Sequence, residues 1–311
     1  MIAEFSWKNF SLGTEVQVAG TFIYNGLLAF DEMEHFCQEH EVFECLYQLA
    51  IGIERLAKVA VILLEHNTDM DQTAFEKSLI THTTGGLIAR IHKRTKLELN
   101  PHSHQLISLL DRFYNSMRYA RFGIASSYEH TKARDTFINF LSELLQEPID
   151  TRLLYATAND NRIKDRLGRL IKKISSELYE IIKDKARELQ IFTEEIVYDS
   201  KAYKIFLQQQ FTFKNERILQ KELLIFLLNN KYKTPWKKLA KTLKPLPFDP
   251  AMTTAYVEAM FRITKAGVPL DELESICEDH PLKEDRLEAL ALLDKNGWGI
   301  DENIDDDEDP L

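Results

Sequence analysis

The strongest pattern along the chain is the recurrence of apolar residues every three or four positions, which is the period of an α-helix with one buried face. Between Phe43 and Leu64, nearly every turn places apolar residues on the same side. Glu54 and Lys58 lie four positions apart within this segment, in the order that favours an ion pair on a helix. The pattern predicts a long helix whose apolar face is buried in the core.

Two further helices are predicted in the first half of the chain. One begins after the cluster Thr81-His82-Thr83-Thr84, whose hydroxyl groups can cap a helix. The other spans residues 104–122 and ends at Gly123, a residue type that commonly stops helices. Upstream, residues 16–22 alternate as a strand would, whereas the positions that follow have helical spacing. We therefore expect a helix from Thr21 onward.

The second half of the chain has the same helical period almost throughout. Asp249 followed by Pro250 is a typical helix start, because the carboxylate can cap the helix and proline fits its first turn. With only 11 Gly and 9 Pro in 311 residues, tight turns and hairpins are few. The predicted fold class is all-α, with later helices at 131–146, 162–191, 201–211, 216–229, 235–243, 250–266, 270–278 and 282–294.

The length of the chain, 311 residues, fits one large or two modest domains. Residues 147–161 and the Lys- and Pro-rich residues 241–250 are the best boundary candidates. We expect an N-terminal up-and-down helical bundle over 1–146, a C-terminal helical domain over 162–298 and an acidic tail over 299–311.

Charge is unevenly distributed along the chain, which has a formal net charge of -10. Residues 301–311 carry seven acidic and no basic side chains, which is typical of a solvated tail. Such a tail also suits docking to a protein partner or covering a basic surface. Residues 87–96, 162–187 and 231–244 are basic, so each can face phosphate or form an ordinary solvated helix face.

Cysteine usage and hydropathy bear on the cellular compartment. Cys37, Cys45 and Cys277 are the only cysteines, and this odd number suits a reducing environment. The first ten residues include Glu4 and Lys8, and no stretch approaches the roughly 18 apolar residues of a membrane span. We expect a cytoplasmic protein that does not interact with a membrane.

Sequence motifs for cofactors, metals and nucleophiles give no positive signal. The chain has no GxxxxGK[ST], GxGxxG or GxSxG sequence. His35, Cys37, His40, Glu44 and Cys45 crowd one segment, but their spacing matches no metal-binding motif. Two core cysteines on one helix are the favoured interpretation, and the sequence predicts neither a metal nor a cofactor.

The predicted helix over 104–122 has a polar flank formed by Asn115, Arg118 and Arg121. Arginines three positions apart share a helix face, so they can present two guanidinium groups to one phosphate or carboxylate. The alternative is that they form structural ion pairs with Glu54 or Asp111. Both interpretations remain open at the level of the sequence.

Three segments within residues 20–122 share a pattern with a known family. They are LYQLAIGIERLAKVAVILLEHN with an ERLxK-type helix, ITHTTGGLIARI with a His-bearing helix start, and LLDRFYNSMRYARF as an Arg/Tyr-rich closing helix. This arrangement, about a third of the chain, resembles the HEPN superfamily. The resemblance implies an up-and-down bundle that often forms homodimers through its closing helices. Its members act on RNA or assist nucleotidyl transfer in bacterial toxin-antitoxin and antiviral systems.

Ribonucleases of this superfamily share an Arg followed by a His after four to six intervening residues. Metal-free RNA cleavage needs a base near the 2′-hydroxyl and a cation on the phosphate, and this spacing provides both. This chain departs from the signature, because no His stands at that distance after Arg118 or Arg121. His82 and His130 are the remaining candidates for the base.

Three functional hypotheses follow, and we favour the first. It is an RNA- or nucleotide-binding regulatory module of a bacterial defence or toxin-antitoxin system, without ribonuclease activity of its own. Its contacts would be Arg118, Arg121, Asn115 and the basic cluster Arg90, Lys93, Arg94 and Lys96. The second hypothesis is a metal-independent ribonuclease with a non-standard site made of Arg118, Arg121, His82 and His130. The third is a protein-interaction scaffold whose acidic tail docks a partner.

Overall fold

The computed structural model describes residues 2–122, 124, 131–152, 154–229, 231, 235–279 and 281–293. Within these ranges the chain is helical, and its β-structure is limited to one isolated backbone bridge between His35 and Ala158. The predicted all-α fold class is confirmed. The predicted acidic tail over 299–311 lies outside the described residues.

The chain divides into two compact units between Asn215 and Glu216. The helices of the first unit are α1 (Ile2–Ser6), α2 (Leu12–Glu32), α3 (Glu39–Glu65), α4 (Gln72–Leu79), α5 (Thr84–Arg94), α6 (Pro101–Asn115), α7 (Lys132–Leu145), α8 (Asn161–Leu189) and α9 (Lys201–Phe206). A π-helical turn, Trp7–Ser11, joins α1 to α2, and a 3-10 helix, Met117–Phe122, follows α6.

Helix α3 is the centre of the first unit. It packs against α2, α5, α6, α7 and α8. Its apolar side chains point in several directions around the axis, so the helix is buried on more than one side. The predicted ion pair along this helix is present, with Lys58 Nζ 2.5 Å from Glu54 Oε1.

The boundary between the units does not follow the predicted division at residues 147–161. Helix α8 belongs to the first unit, because Leu167, Ile171, Ile174 and Leu178 are buried and the helix packs against α3. A stripe of apolar residues this long requires a partner surface, and α3, α6 and α7 provide one. The N-terminal bundle therefore extends well past residue 146.

The second unit contains α10 (Lys214–Asn229, which begins just before the division), α11 (Pro235–Thr242), α12 (Thr253–Phe261), α13 (Gly267–Asp279) and α14 (Glu284–Leu293). The predicted start at Asp249 is confirmed, since its carboxylate accepts a hydrogen bond from the Ala251 amide at 2.9 Å. Of the residues described between 216 and 293, none is buried. No helix in the described ranges combines the length and apolar content needed to cross a bilayer.

Helices whose boundaries differ from the prediction include α2, α6 and α9, the last of which ends at Phe206 rather than at residue 211. Helix α2 begins at Leu12, so residues 16–22 are helical despite their alternation. Val16, Ala19, Gly20 and Ile23 are buried on one helix face, and a period of two also places residues four apart on that face. Helix α6 ends at Asn115, and the chain continues as a 3-10 helix rather than as an α-helix to residue 122.

The short helix α4 is absent from the prediction. It has eight residues and a single buried side chain, Phe75, so it shows no apolar repeat. The side chain of Asp71 caps it by accepting a hydrogen bond from the Ala74 amide at 3.1 Å. A helix this short is specified by its cap and one anchor residue.

The two cysteines predicted on one helix are separated. Cys45 is buried in α3, where desolvation raises the pKa of its thiol. Cys37 lies before α3, and its Sγ donates to the Thr151 carbonyl oxygen at 3.2 Å. No group of three or more His, Cys, Asp or Glu residues suited to holding a metal occurs in the part of the chain that the structure describes.

Helices α2 and α3 approach so closely at Gly52 that a side chain does not fit there. A Cβ atom at this position would lie 2.9 Å from the Ile23 backbone nitrogen and 3.0 Å from the Ala19 carbonyl oxygen. We expect Gly52→Ala to lower the free energy of unfolding by about 1–3 kcal/mol, because the two backbones must separate. Urea unfolding monitored by circular dichroism measures this change.

Gly86→Ala is the matched control. Gly86 is an exposed residue of α5, and a Cβ there would meet nothing closer than 3.8 Å. Alanine favours the helix by about 1 kcal/mol over glycine, so this variant should be at least as stable as the wild type. Equal effects of the two substitutions would contradict the close packing at Gly52.

Candidate functional site

The start of α5 is capped by an acidic side chain from α6. Asp111 Oδ1 accepts a hydrogen bond from the Thr84 amide at 2.7 Å, and its Oδ2 accepts one from the Gly85 amide at 2.9 Å. The predicted capping by threonine hydroxyls is wrong, since the Thr83 side chain makes no capping hydrogen bond. Desolvation raises the pKa of Asp111, while the two amides act in the opposite direction. This carboxylate ties the start of α5 to α6.

His82 precedes this helix start and is held from two sides. Asn115 Nδ2 donates to the His82 carbonyl oxygen at 2.8 Å and to the Asp111 carbonyl oxygen at 2.9 Å. The His82 Nδ1 atom lies 3.5 Å from Oε2 of Glu54, a carboxylate buried on α3. The imidazole is about half exposed, at 50% of its side-chain area. His82 thus has a fixed position and an accessible ring.

Arg118 lies on the same side of the bundle, next to two tyrosine rings. Its guanidinium carbon is 3.8 Å from the ring centre of Tyr114 and 4.4 Å from that of Tyr119. Its Nε atom donates to the Tyr114 carbonyl oxygen at 2.5 Å. Tyr114 also contacts His82, with 5.0 Å between ring centres. Tyr114 therefore connects the two residues that the sequence singled out separately.

The alternative in which Arg118 forms a structural ion pair with Glu54 or Asp111 does not apply. Glu54 binds Lys58 and His82, and Asp111 binds the amides at the start of α5. No carboxylate among the described residues is paired with Arg118. Its charge is balanced by aromatic faces and one carbonyl oxygen. We call the group formed by Glu54, His82, Tyr114, Asn115, Arg118 and Tyr119 the His82–Arg118 cluster.

Aromatic side chains extend this cluster across α3. Tyr47 stacks on Tyr114, with ring centres 6.0 Å apart and an interplanar angle of 22°. Desolvation raises the pKa of Tyr114, although the charge of Arg118 opposes the shift. The exposed ring of Tyr119 completes a surface of three tyrosines and one arginine.

A groove of about 570 Å³ lies between α5 and α6. Gly85 and Asp111 line it, and both belong to the α5 start that follows His82. The other lining residues are Ile88, Ala89, His92, Leu97, Leu99, His104, Ile107 and Ser108. The groove therefore has an apolar floor, two imidazoles, and one end beside the His82–Arg118 cluster.

The predicted basic cluster divides into structural and accessible members. Arg90 forms a two-point contact with Glu65, at 2.6 and 3.2 Å, and also donates to the Ser78 carbonyl oxygen. Lys96 is exposed but paired with Glu98.

Lys93 and Arg94 are exposed in the last turn of α5, and neither forms an ion pair within the described ranges. Their positive charges interact favourably with the negative end of the helix dipole, which lies at the C-terminus of α5. Arg90 is thus committed to holding α4 and α5 against α3, whereas Lys93 and Arg94 remain accessible.

Two predicted site residues cannot be placed with the others. The backbone at Arg121 lies one 3-10 turn beyond Arg118, but its side chain is outside the described residues. His130 is outside them entirely. The residues brought together are His82, Asn115 and Arg118.

Four contributors to the site were not identified from the sequence: Tyr114, Tyr119, Glu54 as the partner of His82, and His104. Tyr114 precedes Arg118 by four positions, a spacing that puts their side chains in contact, so a signal was present. The contact between Glu54 and His82 arises only when α3 and the start of α5 pack together.

Comparison of the chain with protein-family models, with curated proteins and with solved structures gave no match.

The cap formed by Asp111 gives a testable consequence for stability. Asp111→Ala removes the acceptor for the Thr84 and Gly85 amides, and we expect a loss of about 1–2 kcal/mol in the free energy of unfolding. Asp111→Asn keeps one side-chain oxygen acceptor and should lose less. Denaturant unfolding of the three proteins tests this order, and an alanine variant as stable as the wild type would contradict the cap.

Proposed function

We propose that this chain is an RNA- or nucleotide-binding regulatory module of the HEPN type, and that the His82–Arg118 cluster contacts the phosphate. The observation that carries the proposal is that Arg118 is held in place without an acidic partner among the described residues. Its guanidinium is oriented by Tyr114 and Tyr119 and is not neutralised by a described carboxylate. A cation that is fixed but unpaired is suited to an external anion.

The orientation of the Arg118 guanidinium allows it to bind a phosphate group through two hydrogen bonds rather than one. Its Nε atom donates to the Tyr114 carbonyl oxygen, while the two terminal nitrogens form no hydrogen bond with the residues that the structure describes. A guanidinium edge binds phosphate through two parallel hydrogen bonds, which are stronger than neutral ones. Because the tyrosine rings cover the face of the group, this edge is the part that remains for a ligand.

The tyrosines provide a second kind of contact. Tyr119 is 54% exposed, and Tyr47 and Tyr114 are partly exposed beside it. Aromatic rings next to a cation bind single-stranded nucleic acid by stacking on bases, with little dependence on sequence. A nucleotide whose phosphate contacts Arg118 would place its base within reach of these rings.

Helix α5 runs from the His82–Arg118 cluster at its start to the accessible cations Lys93 and Arg94 in its last turn. Its 11 residues span about 16 Å. His82 precedes its first turn, Lys93 and Arg94 lie in its last turn, and the groove against α6 runs between them. A short RNA strand lying along α5 would therefore meet cations at both ends.

The resemblance to the HEPN superfamily supports the same proposal and suggests its context. We infer a role in a bacterial toxin-antitoxin or antiviral system, with homodimers formed through the bundle. The absence of the Arg and His signature at Arg118 and Arg121 favours binding without cleavage.

A second candidate function, metal-independent ribonuclease, is favoured by one observation. Glu54 Oε2 lies 3.5 Å from His82 Nδ1, a contact that orients the imidazole. With Nδ1 directed to Glu54, the opposite ring nitrogen would accept the proton of a 2′-hydroxyl, while Arg118 would stabilise the charge on the phosphate.

Binding through Arg118 is tested with Arg118→Gln. We expect affinity for a fluorescein-labelled oligoribonucleotide to fall about tenfold, because a charge-assisted contact is lost. The slope of log K against log salt should fall by about 0.7, the contribution of one contact to a single strand. Fluorescence anisotropy over a salt series measures both quantities.

Arg187→Gln is the control, since it removes the same charge from the exposed end of α8. It should leave both affinity and salt slope near the wild-type values. Equal losses in the two variants would indicate non-specific charge attraction, and no loss in Arg118→Gln would exclude the cluster as the binding site.

The two candidate functions are separated by incubating the protein with labelled RNA in chelator. Binding alone leaves the RNA intact. If cleavage occurs, His82→Asn should slow it at least about a hundredfold, because proton transfer in the transition state is lost, while RNA affinity should fall less than in Arg118→Gln. His102→Asn, a change at the start of α6, is the control. Cleavage that survives His82→Asn would remove His82 from the mechanism.

A further inference from the structure

A second polar pocket lies along the basic segment 162–187 and shares no residue with the His82–Arg118 cluster. It has a volume of about 350 Å³ and lies between the first half of α8 and residues 209–215. Its lining consists of Asp165, Gly168, Arg169, Lys172, Gln209, Gln210, Phe211, Thr212 and Asn215. All of these residues belong to the first unit.

The floor of this pocket is built by a close contact at Gly168. A Cβ atom there would lie 2.6 Å from the Phe211 carbonyl oxygen, so only glycine allows the backbone of this segment to lie directly on α8. Phe211 and Phe213 are buried, which anchors the segment on both sides of Thr212. The amide of Gln210 donates to the Lys204 carbonyl oxygen at 3.1 Å. The pocket is therefore held in shape by the core.

Three other cations on the first half of α8 are paired with acidic side chains, unlike the cations of this pocket. Arg162 pairs with Glu147, Lys164 with Asp31 and Lys173 with Glu177. Such pairs neutralise each charge within the protein.

Arg169 and Lys172 form no ion pair in the described ranges. They are three positions apart and share a helix face. Arg169 Nε donates to the Asp165 carbonyl oxygen at 3.1 Å, which orients the guanidinium without neutralising it. Lys172 is partly buried against the pocket wall. Asp165 is the single acid of the lining, so the pocket keeps an excess of positive charge.

We propose that this pocket is a binding site for a phosphoryl group. Arg169 supplies a planar fork and Lys172 a compact ammonium, the two cationic groups that proteins use for phosphate. The amides of Gln209, Gln210 and Asn215 and the hydroxyl of Thr212 add neutral hydrogen-bond donors around them. The volume lies at the lower end of the range for small-molecule sites, which suits a phosphate monoester. This site is separate from the His82–Arg118 cluster and does not depend on the proposed function.

The test measures acylation of Lys172 by an amine-reactive ester, read by mass spectrometry of peptides from the full-length protein. Inorganic phosphate, a nucleoside 5′-monophosphate and a short oligoribonucleotide are the three probes. A probe at four times its dissociation constant leaves about one fifth of the sites open, so Lys172 labelling should slow about fivefold. Lys185, about 20 Å further along α8, should react at an unchanged rate.

The probes also identify the source of the phosphate. Protection by inorganic phosphate and the nucleotide assigns the site to a small phosphorylated ligand, whereas protection by the oligonucleotide alone assigns it to an RNA backbone. Either result supports a phosphoryl site. Unchanged labelling of Lys172 with all three probes overturns the proposal.

Calorimetry of variants provides an independent measurement with whichever probe protects Lys172. Arg169→Gln and Lys172→Met should each weaken its binding about tenfold, because one charge-assisted contact is removed. Arg187→Gln, about 27 Å from Arg169 along the same helix, should have no effect. Equal weakening by all three variants would overturn the proposal. Arg118→Gln should leave protection of Lys172 unchanged, so failure of one site is distinguishable from failure of the other.

Discussion

Burial of α3 is the constraint on which the rest of the first unit depends. Five helices cover it, and Gly52 allows α2 to approach within backbone contact. The polar exception on this helix is Glu54, which is only 7% exposed. A buried carboxylate requires compensating partners, and here Lys58 and His82 provide them. The same packing that forms the core therefore also positions the imidazole of the candidate site.

Most of the helices could be predicted because their apolar period reports directly on burial. Prediction failed where burial was not the deciding factor. Helix α4 has one anchor, Phe75, and the end of α6 at Asn115 has no glycine or proline to mark it. The position of α8 in the first unit could not be derived either, since an apolar stripe shows that a partner exists but does not identify it.

The candidate site was predictable as a set of residue types but not as an arrangement. Asn115 and Arg118 were visible as a polar flank on an apolar helix, and His82 as a residue at a helix start. Asp111 illustrates the limit of the sequence. The sequence offers it as one possible ion-pair partner for arginine, yet it caps a helix that begins 27 positions earlier in the chain. Such a contact depends on how α5 and α6 pack.

Arg118 and Arg169 are oriented by the same kind of hydrogen bond, although they lie in different parts of the fold. In each, Nε donates to the carbonyl oxygen four residues earlier, that of Tyr114 or Asp165. The Tyr114 carbonyl lies at the end of α6, where the last carbonyl groups have no partner within the α-helix. A carbonyl oxygen fixes the direction of the side chain but carries no formal charge. Both arginines are therefore oriented while their charge remains available, whereas the charge of Arg90 is neutralised by Glu65.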